Sequence, residues 1–137
     1  MKYSLAILKP DCLQRRLSEK IIGVIKNNGF QIIFMKQLRL NKNDVEYVYA
    51  DCLLEEWFAL FAEFMTSSDS LILVVKHEES DAIAKLNELV GPTDPQKADY
   101  SSIRSMGENI RRNLIHSAKD EKSFWREFIY FFGHRKN

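Results

Sequence analysis

Two cysteines are the only thiols in this chain of 137 residues, and Cys12 and Cys52 form neither a metal-binding spacing nor a disulfide framework. Their scarcity makes a reducing, cytoplasmic location the default expectation. An excess of one charge is missing too. Twenty basic against 19 acidic side chains leave a formal net charge of +1, which builds no global field for nucleic acid or an anionic membrane. Any anion site must therefore be a local cluster. No apolar run reaches the length that spans a bilayer, and the N-terminus lacks a signal-peptide pattern. There is no repeat, low-complexity tract or linker, and the first strand starts almost at Met1, so no organelle-targeting segment is expected. What is present is an ordinary globular composition, 45% hydrophobic and 28% charged, long enough for a substantial core. Residues 1–137 are expected to form a single domain.

Hydrophobic periodicity divides the chain into alternating strands and helices. Residues 3–9 read as a strand, and Ser18 can cap a helix to about Asn28, with Ile21, Ile22 and Ile25 on one face and Gly29 as terminator. Phe30 to Met35 is rich in aromatic and β-branched residues and reads as a second strand. A short helix follows Asn43. Residues 55–65 then form the cleanest helical pattern, with Trp57, Leu60, Phe61, Phe64 and Met65 on one stripe. Ser67-Ser68-Asp69 breaks it, and Leu71 to Val75 makes a third, buried strand. Ser80 caps a helix carrying Ile83, Leu86, Leu89 and Val90, which Gly91-Pro92 ends. Residues 91–113 show little periodicity, and so long a loop in a compact domain is usually functional. A short strand near Leu114–His116 and a helix around Glu121–Tyr130 complete the chain. This order fits a split βαβ arrangement or a doubly wound sheet.

Two segments carry the chemistry. Asn113-Leu114-Ile115-His116-Ser117 sets a histidine just after Arg104, Arg111 and Arg112. A neutral imidazole can attack phosphorus at physiological pH, since its ordinary pKa is near ~6.5, and arginines can hold the phosphate attacked. The bland alternative is a solvated loop histidine. At the other end, Leu5-Ala6-Ile7-Leu8 reads as a strand buried on both faces, followed by Lys9 and by Pro10, which cannot continue a sheet ladder. Lys9 is then either presented at the rim of the strand or snorkelling to solvent.

Together these segments resemble the nucleoside diphosphate kinase family, from about Tyr3 to Phe132. The matching pieces are Leu8-Lys9-Pro10-Asp11 with Gln14-Arg15, Asn28-Gly29-Phe30, Tyr49 with Asp51, Trp57-Phe58 and Phe64-Met65. They continue with Gly91-Pro92-Thr93-Asp94-Pro95, Ser102-Ile103-Arg104, Arg112-Asn113-Leu114-Ile115-His116 and Glu127. The resemblance implies a ferredoxin-like α/β sandwich, a four-stranded antiparallel sheet with helices on one face and the 91–113 loop as an excursion before the last strand. It implies transfer of the γ-phosphate of a nucleoside triphosphate, typically ATP, to a nucleoside diphosphate, by ping-pong kinetics through a phosphohistidine. On that resemblance His116 is the nucleophile and Glu127 the carboxylate that fixes its tautomer. Lys9, Thr93 and Arg104 match phosphate-contacting positions, and Asn113 matches the residue that holds the sugar hydroxyl. Tyr49 matches a tyrosine packed beside the histidine. Trp57 matches the aromatic that stacks on the base, where phenylalanine is usual; by pattern alone it could equally be core. Mg²⁺ is implied as cofactor, bound mainly through nucleotide phosphates and water rather than a carboxylate cage. The implied partners are nucleoside di- and triphosphates and further copies of the chain, in a hexamer or tetramer built from dimers.

The chain departs from the family pattern in places. Asn87 stands at the position of a second phosphate-binding arginine, a loss worth about 1–3 kcal/mol of distal-phosphate binding unless Lys85 supplies the charge. After the histidine, Gly-Ser-Asp-Ser becomes Ser117-Ala118-Lys119-Asp120, which removes a hydroxyl, reverses a charge near the metal and replaces a serine that contacts the Glu127 position. These changes raise the rival reading of a nucleotide-binding scaffold without catalysis. A single-stranded nucleic acid binder is disfavoured by the near-zero net charge and by strands without exposed aromatics flanked by basic residues. His77 and His134 have no supporting constellation and are expected on the surface.

Overall fold

A computed structural model describes residues 1–135, without the side chain of His134, so the expectation for that histidine lies outside the described residues. The strand β1 (Tyr3–Leu8) occupies the middle of the sheet. It pairs antiparallel with β3 (Asp69–His77) on one side and β4 (Ile115–Ser117) on the other, and β2 (Phe30–Arg39) flanks β3. The order β2-β3-β1-β4, antiparallel throughout, is that of a ferredoxin-like sandwich and rules out a doubly wound parallel sheet.

Helices cover both faces of this sheet, not one. Leu5, Ile7, Ile72 and Val74 point into a core with α3 (Lys42–Val48), α4 (Phe58–Met65) and α6 (Glu121–Ile129). Ala6, Leu8, Leu73 and Val75 point into a second core with α1 (Pro10–Gln14), α2 (Ser18–Asn27) and α5 (Ala82–Val90). The cause is visible in the strands: β1 and β3 carry apolar residues at successive positions, and successive side chains turn to opposite faces.

Several local expectations shift. The helix read as 55–65 begins at Phe58, and Trp57 sits at its N-cap. Its buried stripe, Phe58, Phe61, Ala62 and Met65, runs from Phe58, which leaves Leu60 off the stripe and 74% exposed. Asp81, not Ser80, caps α5 by accepting from the Ile83 and Ala84 N–H groups, and Ser18 is the first residue of α2 without a capping bond. The strand β2 runs past Met35 to Arg39 because it is an edge strand, where polar residues can face solvent. His77 is buried at the end of β3. Its Nε2 donates to the Asn28 carbonyl at 3.0 Å, and its Nδ1 accepts from the Glu79 and Ser80 N–H groups. It ties the α2–β2 turn to β3 and is not a surface residue. Among the described residues, no helix is long and apolar enough to cross a membrane.

Register aims the site. Ile7 lies opposite His116, and Leu8 opposite Ile115. Directly opposed residues of an antiparallel pair share a face, so His116 looks into the layer of α3, α4 and α6, while Ile115 is buried towards α5.

Candidate active site

A buried scaffold holds the short segment that carries His116. Lys9 caps α1, with Pro10 at the first helical position, where a missing N–H does no harm. The Lys9 N–H donates to the Leu114 carbonyl at 2.9 Å, and Asp11 Oδ2 accepts the Leu114 N–H at 3.1 Å. Leu114 needs both bonds, because it sits at φ +79°, a left-handed conformation that a leucine adopts only under constraint. The strain lies two residues before His116.

The histidine itself is oriented from α6. Its Nε2 lies 2.8 Å from Glu127 Oε1. An ionised carboxylate can only accept, so Nε2 carries the proton and Nδ1 is the nitrogen with a lone pair. Glu127 is buried, at 2% exposure, while the His116 side chain keeps 15% of its surface. Tyr49, which ends α3, meets the imidazole edge-on with ring centroids 5.3 Å apart, and packs on Phe61 at 4.8 Å. Burial pushes the Tyr49 phenol up, so it stays protonated.

Two cations, Lys9 buried and Arg104 half-buried, approach from the sheet side. Lys9 Nζ donates to Asn113 Oδ1 at 2.8 Å and to the Arg111 carbonyl at 2.6 Å, and lies 5.2 Å from the centre of the Phe61 ring. Burial lowers its pKa to about 7, with Asp11 opposing and nearby Arg104 adding to the shift. Arg104 donates through Nε and Nη2 to the Ile115 carbonyl and through Nη1 to Gly91. Of its five N–H groups, two are left for a ligand. Asn113 also donates from Nδ2 to the Thr93 and Ile110 carbonyls, which draws the 91–113 loop over the site.

Thr93 is exposed at the rim, joined to the cluster by its backbone. Trp57 is half-buried, with the Arg111 guanidinium 5.0 Å from its ring centre. Asn87 makes no hydrogen bond to Lys9 or Arg104, although its carbonyl accepts the Gly91 N–H and the Gly91 carbonyl accepts from Arg104. Its Oδ1 accepts the Ser117 hydroxyl at 2.6 Å, and its Nδ2 reaches the Lys119 carbonyl at 3.4 Å. Lys85 does not replace the missing arginine, since it lines a cavity with Asn28, Glu88 and Ser102 on another side of α5. Among the described residues, Asp120 makes no hydrogen bond to Glu127. It caps α6 by accepting from the Ser123 N–H at 2.8 Å.

His116, Tyr49 and Glu127 line one side of a cavity of about 580 Å³ that also holds Asp51, Lys119 and Arg126. A cavity of similar size between α3 and α4 carries Glu46, Glu55, Glu56 and Glu63 against Lys42, a charge balance that repels phosphate. The arrangement around His116 can therefore bind a polyphosphate and present a neutral ring nitrogen to it.

A family model for nucleoside diphosphate kinase matches residues 2–137. The chain belongs to the nucleoside diphosphate kinase family. The nucleoside diphosphate kinase of Helicobacter acinonychis is 35% identical over 134 residues, 97% of this chain and 96% of the relative. The Aquifex aeolicus nucleoside diphosphate kinase superposes with a TM-score of 0.89 at 29% identity, covering 97% of this chain and 96% of that one. The Halobacterium salinarum nucleoside diphosphate kinase, solved in complex with CDP, superposes with a TM-score of 0.90 at 28% identity, covering 96% and 88%. As a nucleoside diphosphate kinase, the chain moves the γ-phosphate of a nucleoside triphosphate to a nucleoside diphosphate by a ping-pong route.

Sequence reasoning named no role for Asp11 or Ser117 in this kinase, and gave Arg111 only as one of three arginines able to hold phosphate, whereas its guanidinium lies over Trp57. Asp11 could have been found, since a carboxylate directly after a buried strand, Lys9 and Pro10 needs a partner. Arg111 on Trp57 and Ser117 on Asn87 join residues far apart in sequence, and no local pattern marks them.

Proposed function

We propose that His116 is the residue of this nucleoside diphosphate kinase that carries the phosphoryl group. The observation behind this is the 2.8 Å bond from His116 Nε2 to buried Glu127, which leaves Nδ1 as the nucleophile. The Nδ1 lone pair attacks the γ-phosphorus. An N–P bond forms, and the bond from phosphorus to the bridging β,γ-oxygen breaks, with its electron pair leaving on the nucleoside diphosphate. No proton need move. A second nucleoside diphosphate then reverses the step through its terminal oxygen.

Phosphoryl transfer depends mostly on placement and on charge around the equatorial oxygens. Arg104 supplies fixed positive charge there, Lys9 adds a charge that bound phosphate favours, and Thr93 offers a hydroxyl at the rim. Lys9 commits two of its three N–H donors to the protein, so one is left for phosphate. Asn113 positions Lys9 and, with it, the sugar. Trp57 gives a π-face that any base can stack on, which suits an enzyme with little base preference. Members of this family use a divalent metal with their nucleotides. Lys9, Arg104 and Asn113 offer no carboxylate, and Glu127, Asp51 and Asp120 are each bonded within the protein, so this site would suit a Mg²⁺ ion carried on the nucleotide phosphates and water. Such an ion neutralises phosphate charge.

The chain is further expected to assemble as a homo-oligomer, a hexamer or tetramer built from dimers. Supporting this, the edge strand β2 exposes Phe34 at 52% and Met35 at 59%. Free Cys12 and Cys52 support a reducing, cytoplasmic setting.

Incubation with γ-labelled ATP and Mg²⁺ tests the central assignment. Label is expected on the peptide containing His116, acid-labile and base-stable, and His116→Ala should abolish it. Labelling that survives His116→Ala overturns the assignment. Nucleotide binding by the unaltered chain without any exchange of γ-phosphate would mark a scaffold instead.

A further inference from the structure

The turn after β4 has a charge where the family pattern has the opposite one. Ala118 is buried and its N–H donates to the Leu5 carbonyl at 3.0 Å, while Asp120 caps α6, so the turn is pinned on both sides of Lys119. Asn87 lies directly beneath it, bonded to the Ser117 hydroxyl and the Lys119 carbonyl. Position 87, where the resemblance expects arginine, and position 119, where it expects aspartate, are thus spatial neighbours. A cation absent from position 87 is matched by one gained on the adjoining turn, three residues past His116.

Within the cavity beside His116, Lys122 is a second lysine, in the first turn of α6, and three of the other charges have partners of their own. Glu127 serves His116, Asp120 serves the start of α6, and the Arg126 guanidinium lies 4.5 Å from the centre of the Tyr47 ring. Lys119 Nζ holds Asp51 Oδ2 at 2.9 Å, with both side chains largely in solvent, 68% and 82% exposed. An ion pair so exposed is weak and opens readily. The flexible four-carbon stem of lysine then lets the ammonium turn inward.

We propose that Lys119 is a phosphate-binding residue of this active site, leaving Asp51 for the distal phosphates of the bound triphosphate and replacing the arginine missing at position 87. This rests on His116 being the phosphoryl acceptor, since it is the shared cavity that brings Lys119 to the reacting end. Several phosphate oxygens outbid one solvated carboxylate for the ammonium. Charge builds on the leaving diphosphate as the bond to phosphorus breaks, so the contact strengthens towards the transition state.

Single-turnover phosphorylation of the full chain by γ-labelled ATP tests this. Lys119→Gln should lower kcat/KM for ATP by ~10-fold or more, the effect of one charge-assisted hydrogen bond. Lys119→Arg should keep most of the rate, and Asn87→Arg added to Lys119→Gln should restore part of what was lost. Were the Lys119–Asp51 pair only a strut, Asp51→Asn would do the same damage as Lys119→Gln. The proposal instead expects Asp51→Asn to hold or raise the rate at low ATP. Wild-type labelling by Lys119→Gln overturns the proposal, as do equal losses in Lys119→Gln and Asp51→Asn. Both outcomes leave His116 standing. Loss of the His116 assignment itself appears separately, as label that persists in His116→Ala.

Discussion

Asp11 and Leu114, 103 positions apart, are joined by a 3.1 Å hydrogen bond from the Leu114 N–H to Asp11 Oδ2. Asp11 is buried, and its other oxygen has no hydrogen-bond partner among the described residues. Burial raises its pKa, against the pull of Lys9 and of backbone N–H groups. A carboxylate kept there at such a penalty is holding something, and what it holds is the left-handed Leu114 ahead of His116. Asp11→Ala is expected to lower unfolding free energy by about 1–3 kcal/mol, the cost of an unmade buried hydrogen bond. It should also lower kcat by ~10- to 100-fold through misplacement of the imidazole. Asp11→Asn keeps an acceptor oxygen of the same size and should lose far less. Denaturant titration with steady-state kinetics reads both effects.

Removal of the carboxylate behind the imidazole should act on chemistry more than on binding. Glu127→Gln keeps the volume but no longer fixes which nitrogen bears the proton. Groups that orient a histidine from behind are typically worth 10–100-fold in activity. The rate of phosphohistidine formation should fall by ~10- to 100-fold, with nucleotide KM changed little. An equal rise in KM would place Glu127 in binding.

The buried Lys9 ammonium makes nucleotide capture pH-dependent. Its pKa in the folded protein is about 7, against 10.5 for a free lysine. In the free enzyme, kcat/KM is therefore expected to fall as pH rises through about 7, as the cation that meets phosphate is lost. Bound phosphate favours the charged form, so kcat at saturating nucleotide should hold to higher pH. The sign for stability is opposite. Between about 7 and 10.5 the unfolded chain binds more protons here, so this lysine's contribution to stability improves as pH rises over that window. Paired pH profiles of kcat/KM and kcat separate the two effects.

Much of this architecture is legible in the chain because its strongest signals are local. The apolar run in β1 marks a strand buried on both faces, and the stripe in α4 marks a helix. Those same residues create the two cores. What is not legible depends on distant partners. The five-residue α1 is too short for periodicity, and its form follows from Lys9 and Asp11 bonding to Leu114. His77 looks like a surface residue until the Asn28 carbonyl and two N–H groups of the next turn close around it. At the site, the sequence names Lys9, Arg104, Asn113 and His116, and the fold gathers them. That the Asn87 side chain bonds to Ser117 could come only from the packing of α5 against β4.

Trp57 provides a binding readout. Its ring faces the Arg111 guanidinium and meets Phe61 edge-on at 5.6 Å, so a nucleotide base that stacks there must change its surroundings. Trp57→Ala is expected to raise KM by ~10-fold for purine and pyrimidine nucleotides alike, within the ~1–3 kcal/mol range of one stacked base. Trp57→Phe should retain activity. Nucleotide should perturb tryptophan fluorescence in the unaltered chain, and Trp57→Phe, which keeps only Trp125, should abolish that change. A fluorescence response that persists in Trp57→Phe would place the base elsewhere.

Asp44 anchors the C-terminal segment on the face that bears the site. It is fully buried, forms a capping box with Asn41, accepts from Tyr130 Oη at 2.6 Å, and meets Arg135 Nε at 3.1 Å. Removing one partner of a buried pair strands the other, so Asp44→Ala should lower stability by about 3–5 kcal/mol. Tyr130→Phe deletes one hydrogen bond to a charged acceptor and should cost about 1.5–3 kcal/mol. Burial first, and Asp44 second, push the Tyr130 phenol up to about 12 from an ordinary 10.0. A raised folded pKa means that this stabilisation is complete below pH 10 and is lost as pH climbs through about 12. Tyr130→Phe should therefore flatten the alkaline limb of the stability curve. Neither residue lines the His116 cavity, so both variants should keep kcat at temperatures where they stay folded. A fall in kcat without a fall in stability would place Asp44 in the active site rather than beneath it.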